Sequence, residues 1–295
     1  MYTIKEIKDH RLIYDYCLKL SDTVPYMHRV PYDIWLESFT ADTDTEGDKM
    51  FSLLITEGAF IGETLVGFVQ YGISRYIYNE QGEKDYSICG FVIRSLYFDA
   101  EHDCGDMLIR AAEKYSMQNQ EKYSPDRKYA FFHALGMSCY NGHGKLFSGL
   151  THIEKALTDQ GYITEHENVY YKRILDENVC IKENDITVKY EKITSKGVCG
   201  FSLFHKDIFT GAGELVYLPF GNICFLRWIY IEGNYQGKGY GTAALKRLFC
   251  DLYSQGIRRI DTDTADGNII AQRLYTKTGF TYMGRTRSYF KEAII

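Results

Sequence analysis

Hydrophobic positions along the chain change their period several times, and each change marks an element. Ile13, Cys17 and Leu20 recur on one helical face behind Asp9, a good capping residue, so a helix is predicted there. A second short helix is predicted over residues 32–39, and the polar, acidic stretch 41–49 reads as loop. Three strand-like runs follow: FSLLITEGAFIG, TLVGFVQYGISRYIY and SICGFVIRSLYF. The last two are separated by the turn-rich NEQGEKD, residues 79–85. Leu108, Ala111, Ala112 and Tyr115 give residues 105–117 an apolar helical stripe. YAFFHALG, residues 129–136, is apolar enough for a buried strand. Residues 152–160 fit a helix, and YITEHENVYYKRIL fits a closing hairpin.

After the polar run DENVCIKEND, residues 176–185, strand-like segments resume with ITVKYEKI, GVCGFSLF, GELVYLPF and NICFLRWIYI. A glycine-rich loop then leads into a helix whose stripe is Leu245, Leu248, Phe249 and Leu252. RRIDTDT reads as strand, NIIAQRLYTKTGF as a helix stopping at Gly279, and TYMGRTRSYFK as a final hairpin.

The halves match each other. IRSLYFD (93–99) and LRWIYIE (226–232) share the pattern apolar, Arg, any, apolar, Tyr, apolar, acid, at an offset of 133. KALTDQGYIT (155–164) parallels RLYTKTGFTY (273–282). So long a period excludes a solenoid and points to two copies of one domain. The expected division is 1–175 for the first copy, 176–185 for a linker and 186–295 for the second. Where the second copy has three glycines, the first has DAEHDCGDML, so the fold itself does not require that loop.

Composition sets outer limits. With 295 residues, 45% hydrophobic and 25% charged, the chain is an ordinary globular sequence long enough for two cores. A net charge of −5 without a long basic run argues against nucleic acid as a partner and suits a cationic small substrate such as an amine. Cys17, Cys89, Cys104, Cys139, Cys180, Cys199, Cys224 and Cys250 stand singly, with no CxxC pair. Free thiols in a reducing cytoplasm are expected, and no metal site. The first residues, MYTIKEIKDHRLIYDY, lack a signal-peptide core, and no stretch reaches the length of a membrane span. A cytoplasmic protein with no membrane partner is expected.

The candidate chemistry lies in Gln236-Gly237-Lys238-Gly239-Tyr240-Gly241. A glycine-rich turn running into a helix exposes successive N–H groups at the positive end of the helix dipole, an arrangement that cradles phosphates. A tight turn with no ligand is the plain alternative. A dinucleotide loop also fits the bare spacing, with Ala244 in the third place, but the preceding strands read as antiparallel, which that fold does not use. A Walker A sequence is absent.

Gln236-x-x-Gly239-x-Gly241 behind an apolar strand, followed by Asn268-x-x-Ala271-x-x-Leu274-Tyr275-x-x-x-Gly279-Phe280, resembles two consecutive motifs of the GNAT superfamily, the Gcn5-related N-acetyltransferases. The likeness is good over 220–291 and reaches the first half only through the duplication. It implies a tandem arrangement with a degenerate amino-terminal copy. The fold class is then α/β (α+β), each domain a mixed, mostly antiparallel sheet flanked by helices. It also implies acetyl-CoA as co-substrate: N–H groups of Gln236, Gly237, Lys238, Gly239, Tyr240, Gly241 and Thr242 on the pyrophosphate, and the backbone of Ile229, Tyr230 and Ile231 on the pantetheine and acetyl carbonyl. Asn268 either reaches the pantetheine amides or caps its own helix. Tyr275 is either the general acid for the departing thiolate or a core tyrosine; the first half has Leu157 there. Glu232 is the most economical general base. Asp261 and Asp263 come next, then His133 and His143.

The implied reaction is direct acetyl transfer to the primary amine of a small molecule, an amino sugar or aminoglycoside-like acceptor among the options. The alternatives are a CoA-binding module without turnover and a tandem acyl or aminoacyl transferase with another donor. The second half shows no helices ahead of its strands whereas the first does. The amino-terminal domain is therefore expected to help form the acceptor site, and the isolated second half to bind acetyl-CoA but acetylate poorly.

Overall fold

The computed structural model describes residues 1–44, 47–78, 83–87, 89–119, 127–131, 144–179 and 185–292. The chain divides into two compact units, one of residues 1–167 with 286–295 and the other of residues 168–285. Among the described residues no helix is long and apolar enough to cross a membrane.

In unit 1, helices α1 (His10–Leu20) and α2 (Tyr32–Thr40) precede the main strands. Asp9 caps α1 by accepting from the Arg11 N–H (2.9 Å), as its sequence position predicts. Strands β1 (Thr3–Glu6), β2 (Phe51–Ile61), β3 (Thr64–Ser74) and β6 (Gly90–Phe98) pair antiparallel in that order, with a small β4 (Ile77–Tyr78) and β5 (Lys84–Asp85) hairpin between the last two. Helix α3 (Gly105–Gln118) lies on β2, β3 and β6. Strand β7 (Arg127–Ala130) then pairs parallel to β6; β8 (Leu146–Phe147) and α4 (Thr151–Asp159) follow.

Strand β9 spans Ile163–Ile174, and its residues from Asn168 onward belong to unit 2. Unit 2 continues with the antiparallel meander β10 (Ile186–Tyr190), β11 (Val198–His205), β12 (Ile208–Tyr217) and β13 (Ile223–Ile231). Helix α5 (Tyr240–Ser254) crosses to β14 (Arg259–Ala265), which is parallel to β13 and antiparallel to β9. Helix α6 (Ile269–Lys277) leads into β15 (Thr281–Glu292). The core forms on the helix side of this sheet. Cys199, Phe201, Leu203 and Leu215 alternate inward and meet Ala244, Leu245, Leu248, Phe249 and Leu252 of α5, the stripe read from the sequence. Each unit is thus a mixed, mostly antiparallel sheet flanked by helices, the fold class the sequence predicts.

Two predicted hairpins are single strands instead. The polar run Glu165–Asn168 within β9 is not a turn; it is where that strand passes out of unit 1. Likewise β15 runs on past Gly284, and its residues from Thr286 pair with β8 and β7 in unit 1. Each half therefore contributes its last strand to the other unit. The division falls at 167/168 and 285/286, not at the predicted 176–185. Within that run, residues 180–184 lie outside the described residues, and Val179 is packed into the unit 2 core with Leu175 and Ile186.

Candidate active site

Strand β13 carries the first feature of the site. Ile223–Leu226 are buried between β12 and β14. Then Leu215 faces Leu226 while Glu214 faces Trp228, so Arg227 is an extra residue on β13, a β-bulge. Pairing with β14 ends at the same point, the last pair being Leu226 with Thr262. Beyond it the two parallel strands part. The Glu232 N–H donates to the Thr210 carbonyl (2.9 Å), so alternate residues Tyr230 and Trp228 bond toward β12. The amides of Ile229 and Ile231 consequently face the open fork. Gln236 Nε2 donates to the Ile231 carbonyl (2.7 Å) and ties the following loop to this edge. The backbone of Tyr230 faces β12, so of the three predicted edge residues Ile229 and Ile231 address the fork.

The bulge also reverses which side chains point inward. Ile229 and Ile231 pack on the helix side, while Trp228 and Tyr230 are exposed on the opposite face.

The loop after β13 makes a short 3₁₀ turn at Gly233–Tyr235, and its glycines then adopt backbone angles that other residues avoid. Gly237 has φ +72° and Gly239, the N-cap of α5, has φ +89°. A Cβ at either would meet nothing within 4 Å, so the loop borders open space. Gly241 has a tighter setting: a Cβ there would stand 3.3 Å from Leu274 Cδ2. Ala243 N–H returns to the Gly239 carbonyl, but no backbone or side-chain acceptor meets the N–H groups of Gly237, Lys238, Gly239, Tyr240, Gly241 or Thr242 among the described residues. Lys238 Nζ turns back to the Asn234 carbonyl (2.8 Å). The Tyr240 phenol turns away to His205 Nδ1 (3.3 Å), whose other nitrogen lies 3.9 Å from Asp185. His205 and Asp185 have no local sequence signal; only the fold brings them to Tyr240.

Tyr275 lies at the apex of the fork. It is buried on α6 between the rings of Tyr171 (5.7 Å) and Phe280 (5.3 Å), and Thr262 is a neighbour of its hydroxyl. Thr262 Oγ1 in turn donates to the Leu226 carbonyl (2.9 Å), across the last pair of the parallel ladder. Burial pushes the phenol above its usual value, and the Asp263 carboxylate adds to that. It keeps its proton throughout the physiological range.

Asn268 caps α6, accepting from the Ala271 N–H (3.1 Å), so its Oδ1 is engaged and its amide nitrogen faces solvent. Of the carboxylates, Asp261 is buried under Arg259 (2.6 Å) and the Tyr170 hydroxyl (2.6 Å), and Asp263 is bonded to Asn168. Both serve the β9–β14 junction. Glu232 follows β13 and has no ion-pair partner among the described residues. His133 and His143 lie outside the described residues.

The sequence profile described as the acetyltransferase (GNAT) family matches residues 162–280. Residues 162–280 form a GNAT domain. No curated protein matches the chain in sequence. Among solved structures, a tandem GNAT protein from the clavulanic acid biosynthesis pathway aligns with TM-score 0.61 and 9% identity, covering 100% of this chain and 99% of that one. A GCN5-related N-acetyltransferase from Sphaerobacter thermophilus aligns with TM-score 0.63 and 10% identity, covering 99% and 95%. A glucosamine N-acetyltransferase region of a fungal multi-domain β-N-acetylglucosaminidase aligns with TM-score 0.60 and 9% identity, covering 98% of this chain and 38% of that one. At such identities the likeness is one of fold, and that fold is the tandem GNAT arrangement.

Unit 1 repeats the GNAT framework and fills its openings. Arg94 is a bulge residue like Arg227, and β6 parts from β7 after Ile93 and Ala130, the counterparts of Leu226 and Thr262. Gly161 and Gly279 end the matching helices at φ +84° and +86°. But Phe131, at φ +53°, leaves the end of β7 and sets its ring edge-on against Tyr97 of β6 (5.8 Å), across the fork. At the start of α3, a Cβ on Gly105 would fall 2.6 Å from the Phe98 ring and 2.8 Å from Ala156. Leu157 stands buried where the second GNAT copy has Tyr275.

Proposed function

We propose that the chain transfers an acetyl group from acetyl-CoA to the primary amine of a small molecule, with unit 2 holding the donor. One observation carries this reading: the N–H groups from Gly237 to Thr242 have no acceptor among the described residues, in a loop that borders open space at a helix N-terminus. They and the edge of β13, at Ile229 and at the Ile231 N–H, suit a diphosphate and an amide-bearing arm respectively. Bound acetyl-CoA supplies an activated thioester carbonyl, which an edge N–H of β13 polarises. Tyr275 holds a proton at the fork for the leaving sulfur. Glu232, at the end of β13, takes the proton of the ammonium, directly or through water.

Direct attack is favoured over an acyl-enzyme. Cys224 is buried beside the fork strands, and burial pushes its thiol well up; burial raises the Cys199 thiol too. The filled openings of unit 1 support a first copy that takes no acyl-CoA. The described cysteines are free thiols, which suits the cytoplasm. An amino-sugar acceptor fits the net charge of −5, and one solved structure of similar fold is a glucosamine N-acetyltransferase region.

The test is release of CoA thiol from acetyl-CoA with a panel of primary amines, alongside calorimetry of CoA. Uptake without release leaves a CoA-binding module, and no uptake ends both readings. Gly239→Ala gives a graded check. Its Cβ meets no atom, so the cost is the left-handed backbone, about 1–2 kcal/mol. Relaxation of the loop turns the N–H groups aside, and calorimetry should show CoA binding about tenfold weaker. Unchanged affinity would separate the loop from the diphosphate.

A further inference from the structure

Given the acetyl-transfer reading, on which this inference rests, the position of the donor limits that of the acceptor. An arm bonded to the free edge of β13 lies in the plane of the sheet, so an amine reaches the thioester carbon from one sheet face or the other. One face is closed in unit 2: Ile229, Ile231 and Tyr275 belong to the core that α5 and α6 cover. The other face carries Trp228 and Tyr230, turned outward by the bulge, 46% and 44% exposed. In unit 1 the counterparts Ser95 and Tyr97 are buried in a cavity lined by Tyr14, His28 and Trp35 of the α1–α2 region. Unit 2 has no described α-helix before β13, and its two rings stand exposed.

The charges around them are uneven. Glu214, the cross-strand neighbour of Trp228, is paired with Arg227 (2.8 Å). Glu232, two residues on from Tyr230 at the end of β13, has no ion-pair partner among the described residues, which leaves one carboxylate in excess beside two π faces. Such a surface attracts a cation and the flat apolar side of a ring. We propose that Trp228 and Tyr230 are the platform for the acceptor, and that the acceptor is a primary ammonium carried on a ring with a flat apolar face. An amino sugar and an arylalkyl amine both have this chemistry; a linear polyamine has only the charge.

Thiol release is measured with glucosamine, phenethylamine and spermidine. Trp228→Ala should raise KM for glucosamine or phenethylamine about tenfold, leave kcat and the calorimetric affinity for CoA nearly unchanged, and be largely rescued by Trp228→Phe. Spermidine should be the poorest substrate. An unaltered KM in Trp228→Ala, or spermidine as the best substrate, overturns the proposal. A second readout needs no turnover. The chain has two tryptophans, so Trp35→Phe leaves Trp228 as the sole indole, whose emission should respond to glucosamine or phenethylamine in the presence of CoA. An emission response without acetyl transfer sinks the transferase reading and keeps the platform. Transfer with a silent Trp228 and a neutral Trp228→Ala sinks the platform and keeps the transferase.

Discussion

Tyr275→Phe should lower kcat by about 10²-fold, the lower end for loss of a positioned general acid, because a thiolate is a fair leaving group without help. CoA affinity should not change. The ring stays between Tyr171 and Phe280, and only the hydroxyl at Thr262 is lost. That separation of kcat from binding is the diagnostic. A core tyrosine would instead lose stability and leave turnover intact. The pH profile adds a second check. Burial holds the phenol protonated to a higher pH than a free one, so its acid role persists up to at least about pH 10. The rate should therefore rise with pH as the amine loses its proton, and an alkaline decline near neutrality would exclude Tyr275 as the donor.

A fragment of residues 186–295 should fail to fold, whereas 162–285 should give a cooperative domain that binds CoA. The short fragment lacks β9. Without it β14 loses its antiparallel partner at residues 168–174, and without residues 169–179 the core loses Val169, Tyr171, Leu175 and Val179. Asp261 keeps Arg259 but loses the Tyr170 hydroxyl, in a position only 2% exposed. Four buried side chains and one unmade hydrogen bond sum to about 7 kcal/mol or more, comparable to the whole stability of a small domain. The expectation from sequence that the second half alone would bind acetyl-CoA gives way to this. Near-UV circular dichroism and amide dispersion of the two fragments decide it; a well-folded 186–295 would show that β9 is dispensable.

Local signals were legible in the sequence and pairing partners were not. The glycine triplet could be read because positive φ and a helix start are properties of a few adjacent residues. Tyr275 could be placed because Leu274, Tyr275 and Gly279 keep fixed helical spacing. The bulge was half visible: Arg94 and Arg227 match, yet simple alternation through Cys224, Leu226, Trp228 and Tyr230 puts all four in the core. One inserted residue sends the last two to the surface. The exchange of strands left no trace. A strand alternates in the same way whichever sheet receives it, and polar residues at the passage from one unit to the other look like a turn. His205 reaches Tyr240 through a tertiary arrangement that no window of sequence contains.

The reciprocal last strands set an order of maturation during synthesis. Everything unit 2 needs has been made once Arg285 is joined, but unit 1 waits for Thr286 to Glu292 to lie beside β8 and β7. The amino-terminal unit, first to leave the ribosome, is thus held open until the whole of unit 2 has been made. Until then it presents β7 as an unpaired edge, the kind of surface that invites chaperones or a neighbouring nascent chain.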